Sequence, residues 1–124
     1  MKELIIEATK YSPRVDLNPS GRIIIEGRSL VEDSYKFYEP VLQWIQDSTC
    51  NSLKVYIKLE YINTSSSKQI FNLLKLIHEN STILDVNVQW YYEEGDEDTY
   101  ELGKDIESEI RIPFEFLEYA ETAA

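Results

Sequence analysis

The chain has 124 residues, 43% apolar and 28% charged, which is the composition of one globular domain with an ordinary core. Its 23 acidic residues outweigh 12 basic ones to give a net charge of −11, which argues against sequence-independent binding to nucleic acid or an anionic membrane and in favour of solubility. Cys50 stands alone, excluding an intrachain disulfide, and no apolar run reaches a signal-peptide core or the ~20 residues of a membrane span, so a reducing, cytoplasmic setting without membrane insertion is expected.

Leu4 to Ala8, rich in β-branched residues, reads as a first strand. Asn18-Pro19-Ser20-Gly21 is a turn signal, with Pro setting φ and Gly accepting a positive one, and it implies a hairpin from about Pro13 to Gly27. Tyr38, Val41, Leu42 and Ile45 follow a helical period behind Asp33 or Ser34 as a cap, with Pro40 expected to kink that helix or mark its first turn. Leu53, Val55, Ile57 and Leu59 alternate with Lys54, Tyr56, Lys58 and Glu60, as in a strand buried on one face. From Ser66 the period turns helical, with Ile70, Leu73, Leu74 and Ile77 as a stripe. Val86, Val88, Trp90 and Tyr92 alternate again, before an acidic loop around Gly95 and a short helix near Thr99 to Ile106. Ile110, Ile112, Phe114 and Phe116 suggest a last strand, which Pro113 limits to an edge or a break. Strands interleaved with helices predict one α/β domain over residues 1–124, a single mixed sheet with helices packed on it.

Asn63, Thr64, Ser65, Ser66 and Ser67 therefore lie at the seam between a strand and a helix. An oxygen from Asn63, Thr64 or Ser65 would cap that helix, but capping needs one residue and the run supplies more. A phosphate suits the same place, because a helix N-terminus offers free N–H donors and the positive end of the helix dipole, with Lys68 one turn in. Nucleophilic catalysis does not suit it. The only histidine, His78, lies three turns further along the same helix, where it fits the C-terminal dipole as a cation. The segment also lacks the glycines of a phosphate-cradling loop.

Glu93, Glu94, Asp96, Glu97 and Asp98 fail the EF-hand template in spacing and in glycine position, so a solvated acidic loop is the better reading than a Ca²⁺ or Mg²⁺ site. No metal or other cofactor is expected. Tyr35, Tyr38, Trp44, Trp90 and Tyr92 fit core faces, whereas Tyr56, Tyr61 and Tyr91 fall on the opposite strand faces and, if exposed beside the hydroxyl run, would make a docking surface.

The segments EATKYSPRVDLNPSGRIIIEGRS, FYEPVLQWI, LEYINTSSSK and VQWYYEEGDEDTYELGKDI resemble, in order, the SiaC family of bacterial regulatory phosphoproteins. The resemblance runs from about Ile5 to Phe116, and its most specific parts are Y-x-N-T-S-S-S-K and W-Y-Y-E-E-x-D-E-D. It implies a STAS-like fold, similar to anti-sigma factor antagonists, and a non-enzymatic partner switch. In that scheme a protein kinase adds a phosphate, a PP2C-type phosphatase removes it, and the unmodified form binds a target, a diguanylate cyclase that it activates to raise cyclic di-GMP. The family's phosphothreonine falls on Thr64, with Tyr61, Asn63, Ser65, Ser66 and Lys68 matching the motif around it. Ser65 and Ser66, in the same capping turn, are the alternate acceptors. The other class of function that fits is a constitutive acidic interaction module with no phospho-switch.

Overall fold

The computed structural model describes residues 2–120. In chain order these form β1 (Leu4–Ile6), β2 (Arg14–Asn18), β3 (Arg22–Ser29), α1 (Ser34–Gln46), β4 (Ser52–Ile62), α2 (Thr64–Glu79), β5 (Asp85–Glu93), α3 (Glu97–Ile110) and β6 (Phe114–Tyr119). The strands make one six-stranded sheet in sequential order. β1, β2 and β3 pair antiparallel, and β3 to β6 run parallel, so the sheet is mixed as expected.

The β2–β3 hairpin closes where the turn signal lies. Gly21 N–H donates to the Asn18 carbonyl at 2.9 Å, and Ser20 N–H donates to Asn18 Oδ1 at 2.9 Å. Gly21 takes φ +103°, and a Cβ there would stand 2.3 Å from the Ser52 carbonyl oxygen, so the start of β4 requires glycine at this corner. From β3 onward, three helical crossovers step the same way across the sheet, and with the usual right-handed sense they bring α1, α2 and α3 to one face. That face carries Ile23, Ile25, Val55, Ile57, Val88 and Trp90, packed against Tyr38, Val41, Ile45, Ile70, Leu73 and Ile106. The opposite face, with Arg14, Asp16, Ile24, Tyr56, Lys58 and Tyr91, carries no helix of the described residues. Asp16 is buried there between Arg14 and Arg22, each 3.2 Å from its Oδ2.

Several boundaries differ from the expectation. β1 stops at Ile6, because Thr9 already turns the chain by pairing with Ser12 through N–H to carbonyl at 3.0 Å. Pro40 lies inside α1 and does not mark its first turn. It is tolerated there because Lys36, whose carbonyl loses its helical partner, is exposed to water. α3 extends to Ile110, which belongs to the helix and not to the last strand. Ile106 and Ile110 are one turn apart on its buried face, and Arg111 ends the helix in the left-handed region at φ 65°. β6 begins directly after Pro113, as an edge strand. Among the described residues no helix is long and apolar enough to cross a membrane.

Candidate functional site

In α/β sheets the carboxyl ends of parallel strands face the helix N-termini and form the usual crevice for binding. Here that end gathers the close of β3, the close of β4, the starts of α1, α2 and α3, and the loop before β2. The hydroxyl run lies in it.

Asn63 ends the β4 path in extended backbone, φ −78° and ψ 166°, and caps α2. Its Oδ1 accepts the Ser66 N–H at 2.9 Å, its Nδ2 donates to the Val31 carbonyl at 2.9 Å, and its own N–H donates to the Ser29 carbonyl at 3.0 Å. One residue therefore caps the helix and ties it to the β3–α1 loop. The helix consequently starts at Thr64, two residues before the apolar stripe signals it.

Helical rotation then sends the hydroxyls to different surroundings. Ser66 shares the inner face with Gln69, Ile70 and Leu73 and is fully buried. Its Oγ accepts from Ser29 Oγ at 2.8 Å, and Ser29 Oγ also bonds to the Tyr38 hydroxyl at 2.7 Å. Burial pushes the Tyr38 hydroxyl up to about 12, with the Ser29 bond opposing the shift. Ser67 Oγ donates to the Thr64 carbonyl at 2.7 Å, and Ser65 Oγ donates to Asn63 Oδ1 at 3.3 Å. Thr64 is exposed, and its Oγ1 bonds to nothing among the described residues. Lys68 is exposed one turn on, on the same face as Thr64.

Tyr61 is 55% exposed, with the Arg28 guanidinium 5.3 Å from its ring centroid and Arg28 Nε 3.6 Å from Glu60 Oε2. Between Tyr61 and the start of α3 is a cavity of about 340 Å³, lined also by Glu60, Ile62, Asp96, Asp98 and Leu102. Asp96 is not available as a ligand there. Its Oδ1 accepts the Thr99 N–H at 3.0 Å and its Oδ2 the Thr99 hydroxyl at 2.7 Å, capping α3. Among the described residues, no three His, Cys, Asp or Glu side chains are arranged to hold a metal.

The structure thus brings Tyr61, Asn63, Thr64, Ser65 and Lys68 to one rim and turns Ser66 away from it. Tyr56 and Tyr91 do not join them. They are half-buried on the open sheet face, where Lys58 Nζ lies 5.9 Å from the Tyr91 ring and 4.5 Å from that of Tyr119. Tyr35 is a correction, since it is 61% exposed and not part of the core. Ser34, one position earlier, takes the buried place in that turn, and Tyr35 is rotated about 100° away from it. Tyr11 and Leu30, at 58% and 37% exposure, belong to the same end and had no signal in the sequence, being single apolar residues in loops.

A family model for SiaC family regulatory phosphoproteins matches residues 6–119. An uncharacterised protein of Pseudomonas aeruginosa is 28% identical over 119 residues, covering 92% of this chain and 94% of its own length. Among solved structures, apo-SiaC from Pseudomonas aeruginosa superposes with TM-score 0.83 at 27% identity, over 94% of this chain and 99% of that one. A structure of the diguanylate cyclase SiaD in complex with its activator SiaC, from the same organism, contains a chain that matches equally well, with TM-score 0.83, 27% identity and the same coverage.

Proposed function

The chain belongs to the SiaC family of regulatory phosphoproteins, and on that premise we propose that it is a partner-switching protein with no catalytic activity of its own. A protein kinase phosphorylates Thr64 and a PP2C-type phosphatase removes the phosphate. The unmodified form binds and activates a diguanylate cyclase in the cytoplasm, as SiaC of Pseudomonas aeruginosa is the activator of SiaD.

The observation that carries this reading is the state of the Thr64 hydroxyl, exposed and unbonded at the first position of α2. Ser65 is exposed but engaged with Asn63, and it is the alternate acceptor. Ser66 would have to leave a buried hydrogen bond before a kinase could reach it. A phosphate on Thr64 would meet the helix dipole, the unpaired first N–H groups of α2 and the ammonium of Lys68. The helix would therefore survive modification while the rim changed from neutral hydroxyl to dianion. As for catalysis, His78 lies 14 positions from Thr64 along α2, about 21 Å at 1.5 Å per residue, too far to serve as a base.

Phosphopeptide mapping of the protein from its own host, across the peptide Tyr61 to Lys68, tests the reading. Phosphate on Thr64 in part of the population supports it, and phosphate on Ser65 alone keeps the mechanism and moves the acceptor. Phosphate on Ser66 would contradict the accessibility argument. A peptide unmodified under all growth conditions would leave a constitutive acidic interaction module.

A further inference from the structure

We propose that the helix-free face of the sheet binds a guanine nucleotide in the groove between β3 and β4, with the phosphate at Arg22 and Lys54 and the base over Ile24 against Tyr56. That face lies away from α1, α2 and α3, and the site does not depend on the switch reading above. The groove has a volume of about 380 Å³ and is lined by Arg22, Ile24, Glu26, Tyr56, Lys58 and Tyr91, which is the size of a small-ligand site. Arg22 and Glu26 stand four positions apart on one strand, about 13 Å. The base, sugar and phosphate of one nucleotide can bridge that span.

Asp16 distinguishes this face from one that merely meets water. It is only 5% exposed, its Oδ2 accepts from Arg14 and from Arg22 at 3.2 Å each, and its Oδ1 has no partner among the described residues. Burying a carboxylate costs solvation that the two guanidiniums offset only while they stay in place, so Asp16 holds Arg22 at the head of the groove. A guanidinium has five N–H donors and Asp16 takes one, which leaves Arg22 others for phosphate oxygens. Lys54 is the register partner of Arg22 on β4, exposed and without a carboxylate partner among the described residues. Arg14 is turned the other way, since its second terminal nitrogen donates to Glu26 Oε1 at 3.4 Å.

At the other end, Ile24 and its register partner Tyr56 give an aliphatic floor and an aromatic wall, both half-buried, which suit a flat base. Glu26 Oε2 has no partner among the described residues. A carboxylate at the edge of the base selects guanine, whose N1–H and amino group are adjacent donors, whereas adenine sets a donor beside an acceptor. Around the groove the cations Arg14, Arg22, Lys54 and Lys58 face the carboxylates Asp16 and Glu26, so it is locally positive on a chain of net charge −11. The remaining carboxylates of this face stand at its margins. Glu60 is paired with Arg28, Glu115 is on the edge strand and bonded to Gln89, and Asp85 and Glu93 are the two ends of β5. Guanine nucleotides are the substrate and product of a diguanylate cyclase, so such a site reports on that chemistry from a face separate from Thr64.

Titration of the full chain with GMP, read by calorimetry and by backbone amide NMR shifts, tests the site. GMP is expected to bind at least about tenfold more tightly than AMP or inorganic phosphate, and to shift the amides of β3 and β4 and not those of α2. Tyr56→Ala and the fully exposed Lys54→Ala are each expected to weaken GMP binding about tenfold, and Glu26→Gln to remove the preference over AMP. Arg22→Ala would leave Asp16 a single guanidinium and can unfold the hairpin, so Arg22→Lys is the variant for that position, expected to bind more weakly for want of the forked donors. Thr64→Glu and Lys75→Ala, away from this face, should leave the affinity unchanged. Amides of β3 and β4 unmoved at millimolar GMP, shifts centred on another surface, or AMP or inorganic phosphate bound as tightly as GMP would each overturn the proposal.

Discussion

Ser29 Oγ and Ser66 Oγ lie 2.8 Å apart in the closed interior although 37 positions separate the two residues in the chain. Ser29 ends β3 and Ser66 is the third residue of α2, and the Tyr38 hydroxyl of α1 completes the hydroxyl chain at 2.7 Å from Ser29. A strand and two helices are thus fixed to one another directly behind the exposed Thr64. The inner hydroxyl of the run holds the helix start, and the outer one is exposed and unbonded.

These opposite roles separate in stability measurements. Ser66→Ala leaves Ser29 only Tyr38 as a partner and is expected to cost about 1–2 kcal/mol, read as a lower urea midpoint at unchanged slope. Thr64→Ala removes an exposed, unbonded hydroxyl and should stay within about 0.5 kcal/mol of wild type. Equal losses in the two variants would contradict this division.

Asn63 combines a cap with a tether. Asn63→Ala is expected to cost about 1 kcal/mol for the lost cap and more for the lost bond to Val31. Asn63→Asp keeps the acceptor and loses the donor, so its midpoint should fall between wild type and Asn63→Ala. An Asp variant as unstable as the Ala variant would place the whole effect in the tether.

Tyr38 makes the fold sensitive to alkaline pH. Its hydroxyl is raised from 10.0 to about 12 by burial, so the stability it contributes is complete below pH 10 and is lost as pH rises through 12. Tyr119 and Tyr92 shift upward as well, through desolvation first and then acidic neighbours, so some decline persists without Tyr38. Unfolding midpoints of Tyr38→Phe should therefore fall less steeply than wild type over about pH 10 to 12. Parallel declines would contradict the assignment.

Gly103 allows α3 to close on the sheet. A Cβ there would come within 2.6 Å of Trp90 Nε1, whose N–H donates to the Thr99 carbonyl at 3.0 Å. Gly103→Ala should cost about 1–3 kcal/mol despite the better helix propensity of alanine, and should alter the near-UV circular dichroism of the indole. A stabilised variant with an unchanged spectrum would show that the helix can shift outward freely.

The alternation of Leu53, Val55, Ile57 and Leu59 and the stripe from Ile70 to Ile77 made the sheet and α2 legible from residues alone, because one buried face imposes its period. Ends were harder. Ile110, Ile112 and Phe114 mimic a strand, and the left-handed turn at Arg111 that divides them has no glycine to announce it. At the site, the motif located the hydroxyl run, but the sorting of its members depends on Ser29 and Tyr38, which are distant in sequence. Tyr35 fits the apolar period only at its margin, because Ser34 holds the buried place of the first turn and Tyr35 is rotated about 100° from it. Tyr11 and Leu30 became visible only once the fold had brought their loops to one end.

The most direct test of the account follows cyclic di-GMP production by the host's diguanylate cyclase as it is titrated with unmodified protein and with protein fully phosphorylated on Thr64. The account predicts that the unmodified protein raises the rate to a plateau and that the phosphorylated protein leaves it at the basal level until a PP2C-type phosphatase is added. Equal stimulation by the two forms would contradict it.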